Sequence, residues 1–132
     1  MLHFIIELGS QKLLDFHKMH GKIGTVTGVR PPSRFGELLV DQHKAVHFSE
    51  KPQTSAGLIS GGFFVFKREI FDYLSEDENC DFEKGPLEKL SRDNELMVYE
   101  HKGKWMCMDT LRDMDYLNKL WHNGECFWKI WE

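Results

Sequence analysis

Long apolar runs and a positive net charge are both absent from this sequence of 132 residues. The first apolar run, Phe4–Ile6, is interrupted by Glu7, whereas a membrane-spanning helix needs about 20 apolar residues. The segment also lacks the basic start and the longer apolar stretch of a signal peptide. Because the formal net charge is −4, no excess of cations is available for a nucleic-acid backbone. We therefore expect neither a membrane nor a nucleic acid as a partner.

Cysteine pairs at disulfide or metal-binding spacing are absent too. The three cysteines, Cys80, Cys107 and Cys126, are odd in number and widely separated, and no two of them form a CxxC motif. The pattern predicts neither a disulfide framework nor a zinc ribbon. Reduced thiols in a cytoplasmic protein are the expectation.

Strand-like and helix-like segments alternate along the chain, whose length suits one domain with one core. Residues 58–67 are apolar on both faces, which predicts a central, buried strand. Pro86 is typical of a first helical position. The alternation predicts an α/β fold with a mixed sheet. Helices are expected at Ser10–Gly21 with Ser10 as N-cap, at 69–74, from Pro86 onward and from Asp109 or Thr110 to Trp121, and strands at 23–29, 37–41, 45–48, 58–67, 96–99 and 105–108.

Short motifs follow one another in order along most of the sequence. They are Phe16-His17-Lys18-x-His20-Gly21-Lys22, Arg30-Pro31-Pro32-x-Arg34-Phe35-Gly36, Glu50-Lys51-Pro52, Gly61-Gly62-Phe63-Phe64-Val65, Met108-Asp109-Thr110-Leu111-Arg112-Asp113 and Trp128-Lys129-x-Trp131-Glu132. This succession resembles the sugar-phosphate nucleotidyltransferases, and within that family the glucose-1-phosphate cytidylyltransferases. The last two motifs are the discriminating ones. The resemblance implies a partial Rossmann-like, GT-A-like layered fold.

Other motifs of that family do not occur in this sequence. No GxGxxG loop and no Pro-Lys-Pro segment are found, although such loops supply the backbone amides that surround a triphosphate. We expect residues 12–132 to correspond to the C-terminal portion of a nucleotidyltransferase domain. Residues 1–11 are expected to be an out-of-pattern segment of a shortened gene product.

The resemblance also implies a reaction, transfer of a cytidylyl group from CTP to glucose 1-phosphate with Mg²⁺ as cofactor. It implies that Asp109 binds the metal, that Lys51 contacts the sugar phosphate and that Glu50 contacts a glucose hydroxyl. Ser60 and Gly61 are implied on the sugar side of the site, with Ser60 standing where the family usually has asparagine. No side chain is assigned as a catalytic residue.

Each of these roles has a simpler alternative in the sequence alone. Asp109 also suits a helix N-cap, and Glu50 with Lys51 suits a surface ion pair. The glycine pair that begins at Gly61 permits close approach of a ligand, but it is equally typical of a β-bulge.

Two further features stay without an assigned site. His17 and His20 lie three residues apart on a predicted helix, a spacing at which two imidazoles can share a metal, but no third ligand is evident. The aromatic residues from Trp121 to Trp131 are expected either to fold back onto the domain or to fill a partner's groove. That partner would be a second copy of the chain or a complementing N-terminal half.

Two functions are therefore open. The first is a glucose-1-phosphate cytidylyltransferase in a truncated form that is inactive alone. The second is a non-catalytic remnant that keeps a sugar-phosphate half-site or an oligomerisation surface.

Overall fold

A computed structural model describes residues 4–6, 9–32, 37–49, 57–77 and 81–131 of the chain. The chain divides into two compact units, unit 1 (Met1–Leu8, Val29–Ile59 and His101–Glu132) and unit 2 (Gly9–Gly28 and Ser60–Glu100). The elements are β1 Phe4–Ile6, α1 Ser10–His20, β2 Gly24–Val29, β3 Glu37–Asp41, β4 Lys44–Ser49, β5 Ile59–Phe66, a 3₁₀ helix Arg68–Tyr73, a π-helical turn Glu83–Leu87, α2 Glu88–Arg92, β6 Leu96–Glu100, β7 Trp105–Cys107 and α3 Leu111–His122.

Unit 2 is built on a three-stranded sheet in the order β5-β2-β6. Strands β2 and β6 are parallel, with Gly24 opposite Leu96 and Gly28 opposite Glu100. Glu95, the residue before β6, fixes this register. It accepts hydrogen bonds from the first residue of β2 and from the residue before that strand. Its carbonyl oxygen accepts from the Gly24 N–H at 2.9 Å, and its Oε2 accepts from the Ile23 N–H at 3.1 Å.

The central strand of this sheet is β2, so the prediction that residues 58–67 form the central strand is wrong. Thr25 and Thr27 on β2 are fully buried, whereas Ile59 and Phe63 on β5 are 45% and 38% exposed. The pattern of apolar residues in a strand indicates whether one or both of its faces are buried. It does not indicate whether the strand is at the edge or in the centre of the sheet. On β5 that cover is aromatic. The rings of Phe64, Phe66 and Phe82 pack with centroids 5.7–5.8 Å apart.

Gly24 is the position at which this aromatic packing limits the sequence. A Cβ atom there would lie 2.9 Å from Cε1 of Phe66 and 3.2 Å from Cδ1 of Leu96. The first distance is too short for real carbon atoms. The Phe66 ring cannot easily move away, since it packs against Phe64 and Phe82. Position 24 therefore requires glycine, because the side chains of Phe66 and Leu96 lie too close to the β2 backbone to leave room for a larger residue.

Helix α1 is confirmed, and its end at Gly21 is as predicted, with φ at 70° in the left-handed region that favours glycine. The predicted N-cap is wrong by one residue. Gly9 occupies the cap position, and its carbonyl oxygen accepts from the Lys12 and Leu13 N–H groups, while Ser10 is already helical. No side-chain hydrogen bond caps this end of the helix.

Pro86 does not begin its helix, contrary to the prediction. The π-helical turn begins at Glu83, and Pro86 lies inside it. Pro86 has no N–H to donate, and the wider turn does not need one at that position. The Phe82 carbonyl accepts instead from the Leu87 N–H, five residues later, at 3.2 Å. Early helical positions have no intrahelical acceptor in any case, which is why proline is tolerated there.

Unit 1 contains two antiparallel pairs, β1 with β7 and β3 with β4. The strands predicted at 37–41 and 45–48 are confirmed, and they pair as a hairpin. Its turn residues Gln42 and His43 have φ of 43° and 67°, as a two-residue type I′ turn requires, and the register shifts between Leu39 and Val40. Parallel and antiparallel pairings thus occur together with helices, as expected for a mixed α/β fold. No helix in the described ranges has the length and apolar character needed to cross a bilayer.

Candidate functional site

The sequence-predicted site residues fall into three groups in the structure. Glu50 and Lys51 lie outside the described residues, so their roles stay predictions. Ser60 and Gly61 are on β5 of unit 2, and Asp109 belongs to unit 1. Each group is therefore characterised within its own unit.

Asp109 lies in the short link between a strand and a helix. Strand β7 ends at Cys107 and α3 begins at Leu111. The residue is exposed, and its backbone N–H donates to Oδ2 of Asp113 at 3.3 Å. The backbone on both sides of Asp109 is thus held by regular structure, which gives its carboxylate a defined place on the surface.

Thr110, not Asp109, caps helix α3. The Thr110 Oγ1 accepts from the Asp113 N–H at 3.1 Å, and the Asp113 Oδ2 accepts from the Thr110 N–H at 3.1 Å. These reciprocal bonds form a capping box. The N-cap alternative for Asp109 is therefore wrong, because the helix N-terminus already has its cap one residue later.

Thr110→Ala is expected to lower the free energy of unfolding by about 1 kcal/mol, since an N-cap side chain contributes on that order. Thr110→Ser keeps the hydroxyl and should stay close to the parent, and Asp109→Ala should change stability little. Urea unfolding followed by circular dichroism measures all three. A loss of stability in Asp109→Ala equal to that in Thr110→Ala would contradict the assignment of the cap.

The described residues contain no group of three His, Cys, Asp or Glu side chains able to hold a metal ion by themselves. A magnesium site does not require such a group of side chains. Mg²⁺ commonly takes one or two protein carboxylates and completes its shell with substrate phosphate oxygens and water. One exposed carboxylate on ordered backbone, as Asp109 provides, is sufficient for that kind of site.

Ser60 and Gly61 show why β5 departs from a regular strand. Ser60 is exposed and Gly61 is buried. Gly62 has φ of 82°, a conformation that other residues rarely adopt, and its N–H donates to the Ser60 Oγ at 3.4 Å. The serine hydroxyl is thus oriented by its own strand and remains accessible to a polar ligand.

A hydrogen-bonded cluster that the sequence analysis did not predict lies between α1 and β2 of unit 2. Nδ1 of His17 and Nε2 of His20 lie 2.7 Å and 2.6 Å from the same Thr25 Oγ1. His17 is only 5% exposed and Thr25 is fully buried. We call this cluster of three residues the threonine bridge. One signal could have revealed it: His17 follows the buried Leu13 by four residues, on the same face of the helix.

The hydrogen-bond directions in the threonine bridge follow from one backbone contact. The Lys22 N–H donates to Nδ1 of His20 at 2.9 Å, so a neutral His20 carries its proton on Nε2 and donates it to Thr25. The single Thr25 hydroxyl proton is then donated to Nδ1 of His17. With its ring nitrogens engaged in this way, His20 is not arranged as a metal ligand.

Both histidines are shifted towards the neutral form. Burial is the main cause that lowers the pKa of His17, and the neighbouring His20 and Lys67 lower it further. Burial also lowers the pKa of His20, with Lys67 and Lys22 acting in the same direction and Glu95 opposing them. Neutral rings are what the hydrogen-bond directions require.

A surface depression of about 700 Å³ in unit 2 does not include any of the predicted site residues. Its charged lining has three carboxylates, from Glu69, Asp72 and Asp93, and two cations, from Lys89 and Arg92. This excess of negative charge is unsuited to a sugar phosphate or a nucleotide.

Comparisons with known proteins identify close relatives of the chain. A family model described as "Nucleotidyl transferase" matches residues 3–121. The "Probable glucose-1-phosphate cytidylyltransferase" of Bacillus subtilis (strain 168) is 44% identical over 119 residues, which cover 90% of this chain and 46% of the relative. The "Glucose-1-phosphate cytidylyltransferase" of Salmonella typhi is 42% identical over 128 residues, which cover 97% of this chain and 49% of the relative. The chain spans about half the length of these curated relatives.

A solved structure from Bacillus anthracis, assigned as a glucose-1-phosphate thymidylyltransferase, shares the fold with a TM-score of 0.57. The likeness covers 89% of this chain and 50% of the other, at 15% sequence identity. It confirms the predicted fold class, a part of a Rossmann-like nucleotidyltransferase fold.

Proposed function

Since this chain belongs to the nucleotidyl transferase family, we propose that it is part of an enzyme that transfers a cytidylyl group from CTP to glucose 1-phosphate. The products are CDP-glucose and pyrophosphate. The observation that supports this choice is the identity of 42–44% to relatives named for that reaction, over 90–97% of this chain. A cytoplasmic location is part of the proposal.

In the proposed reaction, an oxygen of the sugar phosphate attacks the α-phosphorus of CTP and pyrophosphate leaves. Such transfers depend mainly on positioning the reactants and on neutralising phosphate charge. Mg²⁺, when bound, supplies charge neutralisation between phosphate oxygens. Asp109 would hold it through the exposed carboxylate at the end of the β7–α3 link.

The remaining predicted residues are each proposed to contact glucose 1-phosphate. Lys51 would bind the phosphate as a compact cation, and Glu50 would accept a hydrogen bond from a glucose hydroxyl. The Ser60 hydroxyl would contact the sugar, supported by its exposure and by the Gly62 N–H that orients it. Gly61 is proposed to let the sugar approach the backbone of β5.

The proposal also concerns what these 132 residues do alone. They contain no GxGxxG loop, so they do not offer the usual backbone amides for a triphosphate. We therefore expect the polypeptide by itself to bind glucose 1-phosphate weakly and not to turn over CTP. Residues 12–132 would act as the sugar-phosphate portion, with a nucleotide-binding portion as partner.

The same missing loop favours one alternative, a non-catalytic remnant that keeps a sugar-phosphate half-site or an oligomerisation surface. The two functions differ in a simple way. A cytidylyltransferase portion becomes active when a nucleotide-binding portion is supplied, and a remnant does not.

A pyrophosphate-release assay with CTP, glucose 1-phosphate and Mg²⁺ tests the proposal. The polypeptide is assayed alone and together with the part of the Bacillus subtilis relative that this chain does not match. No release is expected from the polypeptide alone, and release is expected from the mixture, with CTP preferred over GTP and UTP.

Three other results would count against parts of the proposal. Turnover by the polypeptide alone would contradict its dependence on a nucleotide-binding portion. Equal rates with every nucleotide would contradict the cytidylyl assignment. No turnover in the mixture, although glucose 1-phosphate binds by ligand-observed NMR, would favour the remnant.

A further inference from the structure

The threonine bridge joins two elements of unit 2 through one hydroxyl group. Its histidines are in the last turns of α1, and its threonine is on the central strand β2. We propose that the threonine bridge is an acid-sensitive conformational switch, in which protonation of His17 or His20 releases the C-terminal end of α1 from β2. The proposal does not depend on the proposed enzymatic function.

The first argument is that each ring already uses the nitrogen that a proton would enter. Nδ1 of His20 accepts from the Lys22 N–H at 2.9 Å, so a proton there would place two donors against each other. Nδ1 of His17 accepts from the Thr25 hydroxyl at 2.7 Å, so a proton there would deprive that hydroxyl of its acceptor. Protonation of His20 thus removes a hydrogen bond, and protonation of His17 reverses one and leaves the buried Thr25 hydroxyl proton without an acceptor; both changes are costly at buried or half-buried groups.

The second argument is the charge around the rings. Lys67, at the end of β5, donates through Nζ to the Gly21 carbonyl oxygen beside the end of α1. Lys22 follows α1, and its Nζ lies 3.8 Å from Oε1 of Glu95, whose other oxygen accepts from the Ile23 N–H. The carboxylate that faces the cluster is thus already engaged by other groups.

Two further contacts from the described residues around the cluster are with uncharged groups. Strand β2 contributes the uncharged Thr25, and β6 places Tyr99 against Phe16, with ring centroids 5.5 Å apart, and not against the histidine rings. A protonated His17 would stand beside His20 and Lys67, and a protonated His20 beside Lys67 and Lys22. Glu95 offsets these cations in part at His20, while burial and the neighbouring cations oppose a positive charge on both rings.

The sign of the pH dependence follows from the direction of the shifts. The pKa of each ring is lower in the folded chain than the ordinary value of 6.5. The unfolded chain therefore binds protons more readily, and the stabilisation is complete above about pH 6.5 and is lost as the pH falls towards the folded pKa. For each proton involved, the ratio of closed to open forms falls by up to about tenfold per pH unit.

The chain offers a matched pair of substitutions to test this switch. Thr25→Val removes the bridging hydroxyl and keeps the side-chain shape. Thr27→Val makes the same change two residues along β2, at a threonine that is also fully buried but whose Oγ1 has no hydrogen-bond partner in the described structure. Only the first substitution removes the contact that joins the two histidines.

The test uses the whole polypeptide and two measurements. Imidazole ¹⁵N shifts report the tautomer and titration of each ring, and hydrogen exchange of the Lys22 amide reports opening at about pH 7.5 and about pH 5.5. We expect His20 to carry its proton on Nε2, and the Lys22 protection factor to fall at the lower pH by up to about tenfold for each ring that takes up a proton. Thr27→Val should behave like the parent. Thr25→Val should show low protection at both pH values.

Three outcomes would overturn the switch. One is a His20 proton on Nδ1, another is a Lys22 protection factor that is independent of pH, and the third is an equal effect of the two valine substitutions. If Thr25→Val does not fold, the tautomer and the pH dependence of the parent polypeptide still decide between the outcomes.

Discussion

Asp109→Ala is expected to lower the turnover number of the proposed cytidylyltransferase, once it is reconstituted, by at least about 100-fold. The reconstituted enzyme is this chain combined with the complementary part of the Bacillus subtilis relative. Loss of a group that stabilises charge in the transition state commonly has an effect of that size. The measurement is the rate of pyrophosphate release at saturating CTP, glucose 1-phosphate and Mg²⁺.

Asp115→Ala is the matched control for this prediction. Asp115 is an exposed aspartate on α3, and its removal changes the net charge by the same amount without touching the β7–α3 link. It should keep the parent rate. Because Thr110 caps the helix, a slow Asp109→Ala enzyme would not owe its loss to unfolding of α3. An Asp109→Ala enzyme within about threefold of the parent would refute the metal role, since one lost charge-stabilising group costs far more.

Leu90→Ala is expected to lower the free energy of unfolding of unit 2 by about 2–5 kcal/mol. Leu90 on α2 is 0% exposed, and it lies one turn after Pro86, which is also fully buried. Truncating such a side chain removes its burial and leaves a cavity that the surroundings fill only in part. The loss is a large share of the stability of a small domain, which is about 5–15 kcal/mol.

The control is the same substitution at an exposed leucine. Leu111 begins α3 and is 69% exposed, so Leu111→Ala should change stability by about 0.5 kcal/mol or less. Urea unfolding followed by far-ultraviolet circular dichroism compares the two variants with the parent. Equal destabilisation by both substitutions would mean that α2 does not anchor unit 2.

The sequence was sufficient to predict most of the strands and helices, but not the order of strands in a sheet. The residues of β5 and β2 both read as strands, and both form. Which of them is central depends on contacts between residues that are far apart in the sequence. The small and β-branched residues of β2, including Gly24 and Thr25, suit a strand with close neighbours on both sides, and that signal is easily masked by the more apolar β5.

The first residue of a helix is also difficult to predict from the sequence. Ser10 and Pro86 each satisfied a rule for the first residues of a helix, yet Gly9 is the N-cap of α1 and the turn that contains Pro86 begins at Glu83. For α3, Thr110 was one of the two predicted caps and is confirmed. Propensity rules describe which residues suit a position, while the actual start depends on hydrogen bonds such as those between Thr110 and Asp113. The expected helices were confirmed, although the first residues of two of them moved by one to three positions.

The threonine bridge could be predicted only in part. The position of His17 on the buried face of α1 indicates that its ring needs a polar partner. The identity of that partner depends on how β2 lies against the helix, which the sequence does not specify. The roles of Glu50, Lys51, Ser60, Gly61 and Asp109 came from resemblance to a family, and they stay proposals.

The division of the chain into two units has a spectroscopic consequence. All four tryptophans, at positions 105, 121, 128 and 131, belong to unit 1, and unit 2 has none. Trp105 is 5% exposed, whereas Trp121 and Trp131 are 49% and 57% exposed. Tryptophan emission will therefore shift to the red when Trp105 leaves its buried surroundings in unit 1. An emission curve and a circular dichroism curve that fail to coincide would then reveal that the two units unfold separately.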